Sequence, residues 1–465
     1  MKTLEPMVIS GREVLPLVEG GKGISISNGE SAGAWVAAGA VGTASAVNAD
    51  SFDRQGQLVK QVYHCKTRRL RHEELIAYAI QGGISQTQIA HEISGGKGPL
   101  HLNFLWEAGG TTSILQAILE GAKGLVHGIT CGAGMPFRLA DIASRYKVYY
   151  YPIISSARAF GVLWKRAYHK YADWLGGVVY EDPWLAGGHN GLSNSETPSS
   201  PQDPFPRVRD LRTVMRNVGL GETPIFMAGG LWFLRDWQDW IGNKELGPIA
   251  FQFGTRTILT QESPVSEKWK KRLLNLKEGD VLLNRFSPTG FYSSAVSNSF
   301  LAELVGRNER QLRFSREPTN EYIAALPVGA RGRPVYLTPD SKTQADDWIA
   351  KGFTVAMKTP ESTLIFVTPE RSSEILTDQR NCMGCLSSCK FSNWAQNENG
   401  TTGKKADPRS FCIQKTLQSI AHGGNLEDNL MFSGHNAYKF ATDPFYDNGF
   451  IPSVQQLVER LQSGD

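Results

Sequence analysis

Through the first 260 residues, short apolar runs alternate with longer stretches whose apolar positions recur at helical spacing. The runs predict strands near Val14–Val18, Val41–Ala46, Leu100–Leu105, Gly124–His127, Val148–Ile154, Gly177–Tyr180, Thr223–Met227 and Ile249–Phe253. Between them the spacing predicts helices over Glu30–Ala38, Arg71–Ile80, Thr112–Glu120, Phe137–Tyr146, Ala157–Leu175, Val208–Asn217 and Leu231–Ile241. Eight strands, each parted from the next by a helix, is the count of a closed (β/α)8 TIM barrel. An open doubly wound sheet would use fewer strands and a phosphate fingerprint after the first. No Gly-x-Gly-x-x-Gly follows any of these strands, which disfavours a dinucleotide fold.

After Ser263 the pattern changes. Residues 264–310 read as helical and complete the barrel, so a barrel is expected over 1–310 and a C-terminal extension over 311–465. The extension mixes strand-like runs (Pro334–Leu337, Thr363–Val367), a group of cysteines and a final helix, Val454–Leu461. One polar segment, Leu192–Pro206, is long for a loop inside a barrel. It reads either as a lid over a substrate or as an idle surface insertion.

With 465 residues the chain can bury a large core, and a net charge of +4 is mild for that length. Its lysines and arginines are scattered, so nucleic acid is not an expected partner; Lys270-Lys271-Arg272 reads as a solvated helix face. No segment approaches the apolar length of a membrane span, and Met1–Pro6 does not read as a secretory signal. The expectation is a cytoplasmic protein with no membrane partner, and a homo-oligomer is compatible with it.

Chemistry enters with three glycine loops, each closing an apolar run: Ala186-Gly187-Gly188-His189-Asn190-Gly191, Ala228-Gly229-Gly230 and Gln252-Phe253-Gly254-Thr255-Arg256. Phosphate groups in such barrels often sit after strands seven and eight, where unhindered backbone N–H groups at a helix start can hold a dianion. Gly229, Gly230, Gly254 and the Thr255 hydroxyl occupy those places, which points to a flavin phosphate; the alternative is two tight turns. Gly20, Gly21 and Gly23 follow strand one and give flexible backbone close to a ring system. Asn103 is an amide inside an apolar strand, able to pair with a flavin edge or to be a satisfied buried side chain. His189, with a reference pKa near ~6.5, can take or give a proton beside such a ring.

Taken in order and spacing, Ala186-Gly-Gly-His189-x-Gly, Ala228-Gly-Gly230 and Gln252-x-Gly-Thr255 with Glu262-Ser263 resemble the signatures of the nitronate monooxygenase (2-nitropropane dioxygenase-like) family. The resemblance runs from about Pro16 to Phe300 and implies an FMN-binding barrel. It implies phosphate contacts at Gly229, Gly230, Gly254 and Thr255, with Gln252, Asn103 and Gly187 near the cofactor and His189 as the active-site histidine. Gly188 and Phe253 belong to the same loops. Two features depart from the family: Glu181-Asp182-Pro183 stands where many members carry a glutamine, and the C-terminal third is long. Even so, Met431-Phe432-Ser433-Gly434-His435 resembles the family's closing segment.

Four of the six cysteines, Cys382, Cys385, Cys389 and Cys412, lie together in the extension, which favours metal or cluster binding over disulfides; Cys65 and Cys131 read as unligated. Cys-x-x-Cys-x-x-x-Cys with a distant fourth fits a [4Fe–4S] cluster better than paired zinc knuckles, although zinc and free thiols stay open. Arg380–Cys385 resembles the cluster loop of the dienoyl-CoA reductase and trimethylamine dehydrogenase flavoproteins, where the last gap is shorter than the one before Cys412. The expected function is FMN-dependent oxidation of small alkyl nitronates or nitroalkanes with oxygen, and a cluster would add an external electron donor or acceptor. The rivals are an NAD(P)H-dependent flavin enoyl reductase and a flavin and iron–sulfur electron-transfer or sensor protein without turnover.

Overall fold

The computed structural model describes residues 2–329 and 331–465. Eight parallel strands carry the architecture: β1 (Leu17–Glu19), β2 (Gly42–Ser45), β3 (Leu100–Leu105), β4 (Gly128–Gly132), β5 (Tyr149–Ile154), β6 (Val178–Glu181), β7 (Ile225–Ala228) and β8 (Ile249–Phe253). They pair in sequence order, and β8 pairs with β1. A parallel bridge from Val18 to Val41, with Val41 N–H donating to Leu17 O and Glu19 N–H to Val41 O at 3.0 Å each, closes the ring. The (β/α)8 barrel expected from the alternation is therefore present.

Six helices follow the expected alternation: α1 (Gly29–Ala37), α2 (Arg68–Ser94), α3 (Thr111–Gly121), α4 (Leu139–Tyr146), α5 (Ala157–Arg166) and α6 (Pro204–Asn217). Asn28, Thr67, Ser156 and Asp203 cap α1, α2, α5 and α6 by accepting backbone N–H groups that the first turn leaves unpaired. At 27 residues α2 far exceeds its expected span. Its apolar residues form no single stripe because it packs on α1, on α3 and on the extension with different faces.

Four local expectations are corrected. The fourth strand is Gly128–Gly132, not Gly124–His127; the apolar run is the approach, and the strand itself is Gly-Ile-Thr-Cys-Gly with room at Gly128 for the rings of His101 and Tyr151. Leu231–Ile241 forms only a short 3-10 turn at Leu234–Trp237. Residues 264–310 contain two short helices, Glu267–Leu273 and Ser299–Glu309, flanking antiparallel strands Val281–Asn284 and Ser293–Val296. Lys270 within them is buried rather than solvated, with its ammonium toward Glu267.

The last helix, Val454–Gln462, packs on α1, and Val454, Leu457, Val458 and Leu461 are part of the barrel's outer core. Glu262 from the family-like signature caps it: the carboxylate oxygens accept Val454 N–H at 3.0 and 2.9 Å, which also places negative charge at the helix's positive end. Beneath the barrel the hairpin of Met7–Ile9 and Arg12–Val14 plugs the opposite mouth, with Ile9 and Val14 packed among inward-facing strand residues. That leaves the C-terminal strand ends open to ligand. Residues 311–380 form a small antiparallel unit with its own apolar core around Leu337, Leu364 and Phe366. The cysteine segment packs between that unit and the barrel, in a core that contains Leu75 of α2 and Ile365. No helix among the described residues is long and apolar enough to cross a membrane.

Candidate functional site

One cleft opens at the C-terminal ends of the strands. Period-two alternation turns the final residue of several strands inward. The pairing register sets Glu181, Ala228 and Gln252 side by side on β6, β7 and β8. Across the floor, Asn103 Nδ2 donates to Thr130 Oγ1 at 3.2 Å. Gly21 lies directly on Asn103: a Cβ at Gly21 would stand 2.2 Å from the Asn103 Cβ.

The structure brings every flavin-site residue expected from the sequence to this cleft. Gly20, Gly21 and Gly23 line one side and Asn103 the floor. Gly187, Gly188 and His189 face them, and Gly229, Gly230, Gln252, Phe253, Gly254 and Thr255 complete the wall. Gly229 and Gly230 adopt φ of +84° and +76°, a left-handed conformation that only glycine takes without strain, while the chain presses against Asp182 and Leu185. Among the described residues no carbonyl accepts the N–H of Gly229, Gly230, Gly254 or Thr255. At Gly254 a Cβ would meet nothing within 4 Å, so that position faces open space. Thr255 Oγ1 accepts Gly434 N–H at 2.8 Å, which leaves its own hydroxyl proton free to donate. Together these form a cradle of donors suited to an anion.

His189 lies on a two-residue strand, Gly188–His189, held antiparallel to Ser293–Ser294. Its Nε2 is 2.7 Å from Ser287 Oγ, which is in turn 2.8 Å from Thr289 Oγ1. Phe432 packs against the ring edge, with centroids 5.3 Å apart. Burial lowers the imidazole pKa to about 4, so the ring is neutral at pH 7, a sharper state than the reference value implies.

Several cleft residues were outside the site expected from sequence. Glu181 and Lys22 line it. Lys22 is committed elsewhere: its ammonium is 3.2 Å from Glu19 and donates to Gly20 O at 2.7 Å. The segment Met431–Gly434 closes the wall with Asn436, whose Nδ2 donates to Gly230 O at 2.6 Å. Its resemblance to a closing segment was the available signal. For Glu181, the signal was the departure from glutamine.

Cys385 also lines the cleft, with Leu386 and Gln414. The four extension cysteines are close enough that neighbouring thiols raise the pKa of Cys385, Cys389 and Cys412; burial is the larger cause and takes Cys389 to about 11 and Cys412 to about 12. Each sulfur faces hydrogen-bond donors. Gly384 N–H (3.4 Å) and the Ser392 hydroxyl (3.0 Å) donate to Cys382, and backbone groups of Gln414, Phe391 with Ser392, and Lys415 serve Cys385, Cys389 and Cys412. Among the described residues, no three His, Cys, Asp or Glu groups converge as the ligands of a single metal ion do.

Among solved structures, FabK from Thermotoga maritima aligns over 97% of this chain and 92% of its own, with a TM-score of 0.51 and 14% identity. The enoyl reductase domain of MlnA from Bacillus amyloliquefaciens aligns over 97% and 94%, with a TM-score of 0.51 and 12% identity. At such identities the likeness concerns the fold. A probable nitronate monooxygenase of Staphylococcus aureus is 27% identical over 119 residues, 26% of this chain and 31% of that relative's length. The nitronate monooxygenase family model matches residues 11–464, from the plug hairpin to the last helix, and the chain belongs to that family.

Proposed function

We propose that the protein is an FMN-dependent oxidoreductase acting on small alkyl nitronates or nitroalkanes, with oxygen as co-substrate. The observation that carries this reading is the cradle of unpartnered donors at Gly229–Gly230 and Gly254–Thr255, beside a neutral histidine in the same cleft. The residues fit FMN: the cradle suits its phosphate, and the amides of Asn103 and Gln252 suit the polar edge of its ring. Bound there, FMN would supply the electron transfer between substrate and oxygen. The chain supplies position and proton handling. In the His189 tautomer whose Nε2–H donates to Ser287, with the Ser287 hydroxyl turned to Thr289, Nδ1 is left as the basic lone pair. It would remove the α-proton of a nitroalkane, whereas a nitronate needs no such step. Phe432 packs on the His189 ring, and Leu386 adds to the apolar lining of the same cleft.

A [4Fe–4S] cluster on Cys382, Cys385, Cys389 and Cys412 is the second part of the reading. Buried sulfurs served by N–H and O–H donors suit thiolates, the ligands that such a cluster takes. Cys385 on the cleft wall would put the cluster beside the flavin and open a route for an external one-electron donor or acceptor.

An anaerobic visible spectrum with iron and sulfide analysis, before and after a nitronate is added, tests both parts. Flavin bands bleached by nitronate are expected, with about four irons per chain. Flavin that ignores nitronate but bleaches with NAD(P)H would move the assignment to an enoyl reductase, and no flavin at all would remove it.

A further inference from the structure

We infer that Glu181 stands in the cleft as a neutral carboxylic acid and donates a hydrogen bond to an oxyanion of the substrate. It rests on the nitronate reading above for the identity of that oxyanion. Glu181 is the last residue of β6, and the pairing register turns its side chain inward with Val179, onto the cleft floor next to Ala228. Ala228 is small, so the carboxyl and the Gln252 amide flank a gap rather than each other.

The carboxyl is half-buried on the cleft wall and has no hydrogen-bond partner among the described residues; desolvation acts on it first, followed by the repulsion of neighbouring Asp182. Every nearby cation is engaged elsewhere. Lys22 pairs with Glu19, and Arg207 pairs with Glu196 at 2.8 Å while donating to Tyr180. Asp182 accepts the N–H groups of Trp184 and Leu185, and His189 is neutral. Burial without a counter-ion pushes the Glu181 pKa up to about 8. A carboxyl that faces the cleft without a protein partner is left for a ligand to complete. An acid held neutral can donate where a carboxylate would repel, and a nitronate presents two anionic oxygens for it to meet. The floor would then hold a hydrogen-bond donor in Glu181 and a base in His189, two groups whose environments move their pKa values in opposite directions.

Nitrate, a planar oxyanion that cannot reduce the flavin, is the probe. Its binding to the FMN-loaded protein is followed by flavin difference spectra from pH 6 to 9.5 in wild type, Glu181→Gln and Glu181→Leu. In wild type the nitrate Kd should rise roughly tenfold per pH unit above about 8, as the carboxyl ionises. Glu181→Gln keeps a neutral donor and should bind with a flat profile; Glu181→Leu should bind about tenfold to a hundredfold more weakly throughout. A Gln variant with the wild-type pH profile, or a Leu variant that binds as wild type does, overturns the inference. The apo protein provides an independent readout. An infrared band of a protonated carboxyl at pH 7, absent from Glu181→Gln and lost above pH 8, is expected, and its absence at pH 7 also overturns it. Failure of nitronate to reduce the flavin, with the nitrate and infrared results intact, would instead defeat the substrate reading alone.

Discussion

Adding a small side chain at Gly254 separates ligand binding from folding. No heavy atom lies within 4 Å of a Cβ built there, and the backbone is not left-handed, so the Cβ that Gly254→Val adds meets neither a clash nor backbone strain. Apo stability should stay within about 0.5 kcal/mol of wild type. In the cleft the isopropyl group would occupy the space in front of the free N–H groups of Gly254 and Thr255. A hydrogen bond to a charged group contributes about 1.5–3 kcal/mol, so losing two costs about 3–6 kcal/mol, or roughly two to four decades in FMN Kd. FMN titration by fluorescence quenching, with apo thermal melts alongside, reads both quantities. An FMN Kd within threefold of wild type would refute the placement of the phosphate here. An apo melting temperature that fell as far as that of Gly21→Ala would refute the claim that Gly254 faces empty space.

Gly21→Ala is the structural counterpart, because its methyl would collide with the Asn103 Cβ at 2.2 Å. It should cost about 1–3 kcal/mol of apo stability, and Asn103→Gly in the same chain should recover at least about 1 kcal/mol; additive losses in denaturant titrations would exclude this contact as the cause. Asp443 and Arg256 are both fully buried and 3.3 Å apart, tying the loop after β8 to the closing segment. Asp443→Ala should therefore destabilise by about 3–5 kcal/mol, and a loss below about 1 kcal/mol in the same titrations would contradict the pairing. Burial lowers His101 to about 3 and both His127 and His189 to about 4, so between pH 6.5 and 4 the unfolded chain binds protons that the folded one does not. Stability should thus fall as pH drops through that window; melting temperatures that stay level in wild type, or fall equally in a His101→Gln variant, would oppose it.

The barrel was legible because its strands are short β-rich runs and most of its helices show helical periodicity, each signal local to a few turns of chain. It failed where tertiary packing outweighs local pattern. Gly128–Gly132 is a strand because neighbouring rings fill its glycine side, and Leu231–Ile241 stays short because the chain must return under the closing segment, where Trp232 packs on Phe440. The glycine loops were visible as site candidates because phosphate cradles use backbone, and backbone exposure leaves a compositional trace in glycine.

By itself the sequence determined the barrel, the order of its strands and the three glycine loops that line the cleft, since all of these follow from residue type and spacing along one chain. The tertiary structure alone decided what no spacing records: that Val454–Gln462 packs in the barrel core under a cap from Glu262, that Met431–Gly434 walls the cleft, and that Cys385 reaches it. These contacts join residues tens to hundreds of positions apart. The chemistry of Glu181 and His189 belongs to the same class, because a carboxyl near pKa 8 and an imidazole near 4 are products of enclosure, which residue identity does not carry.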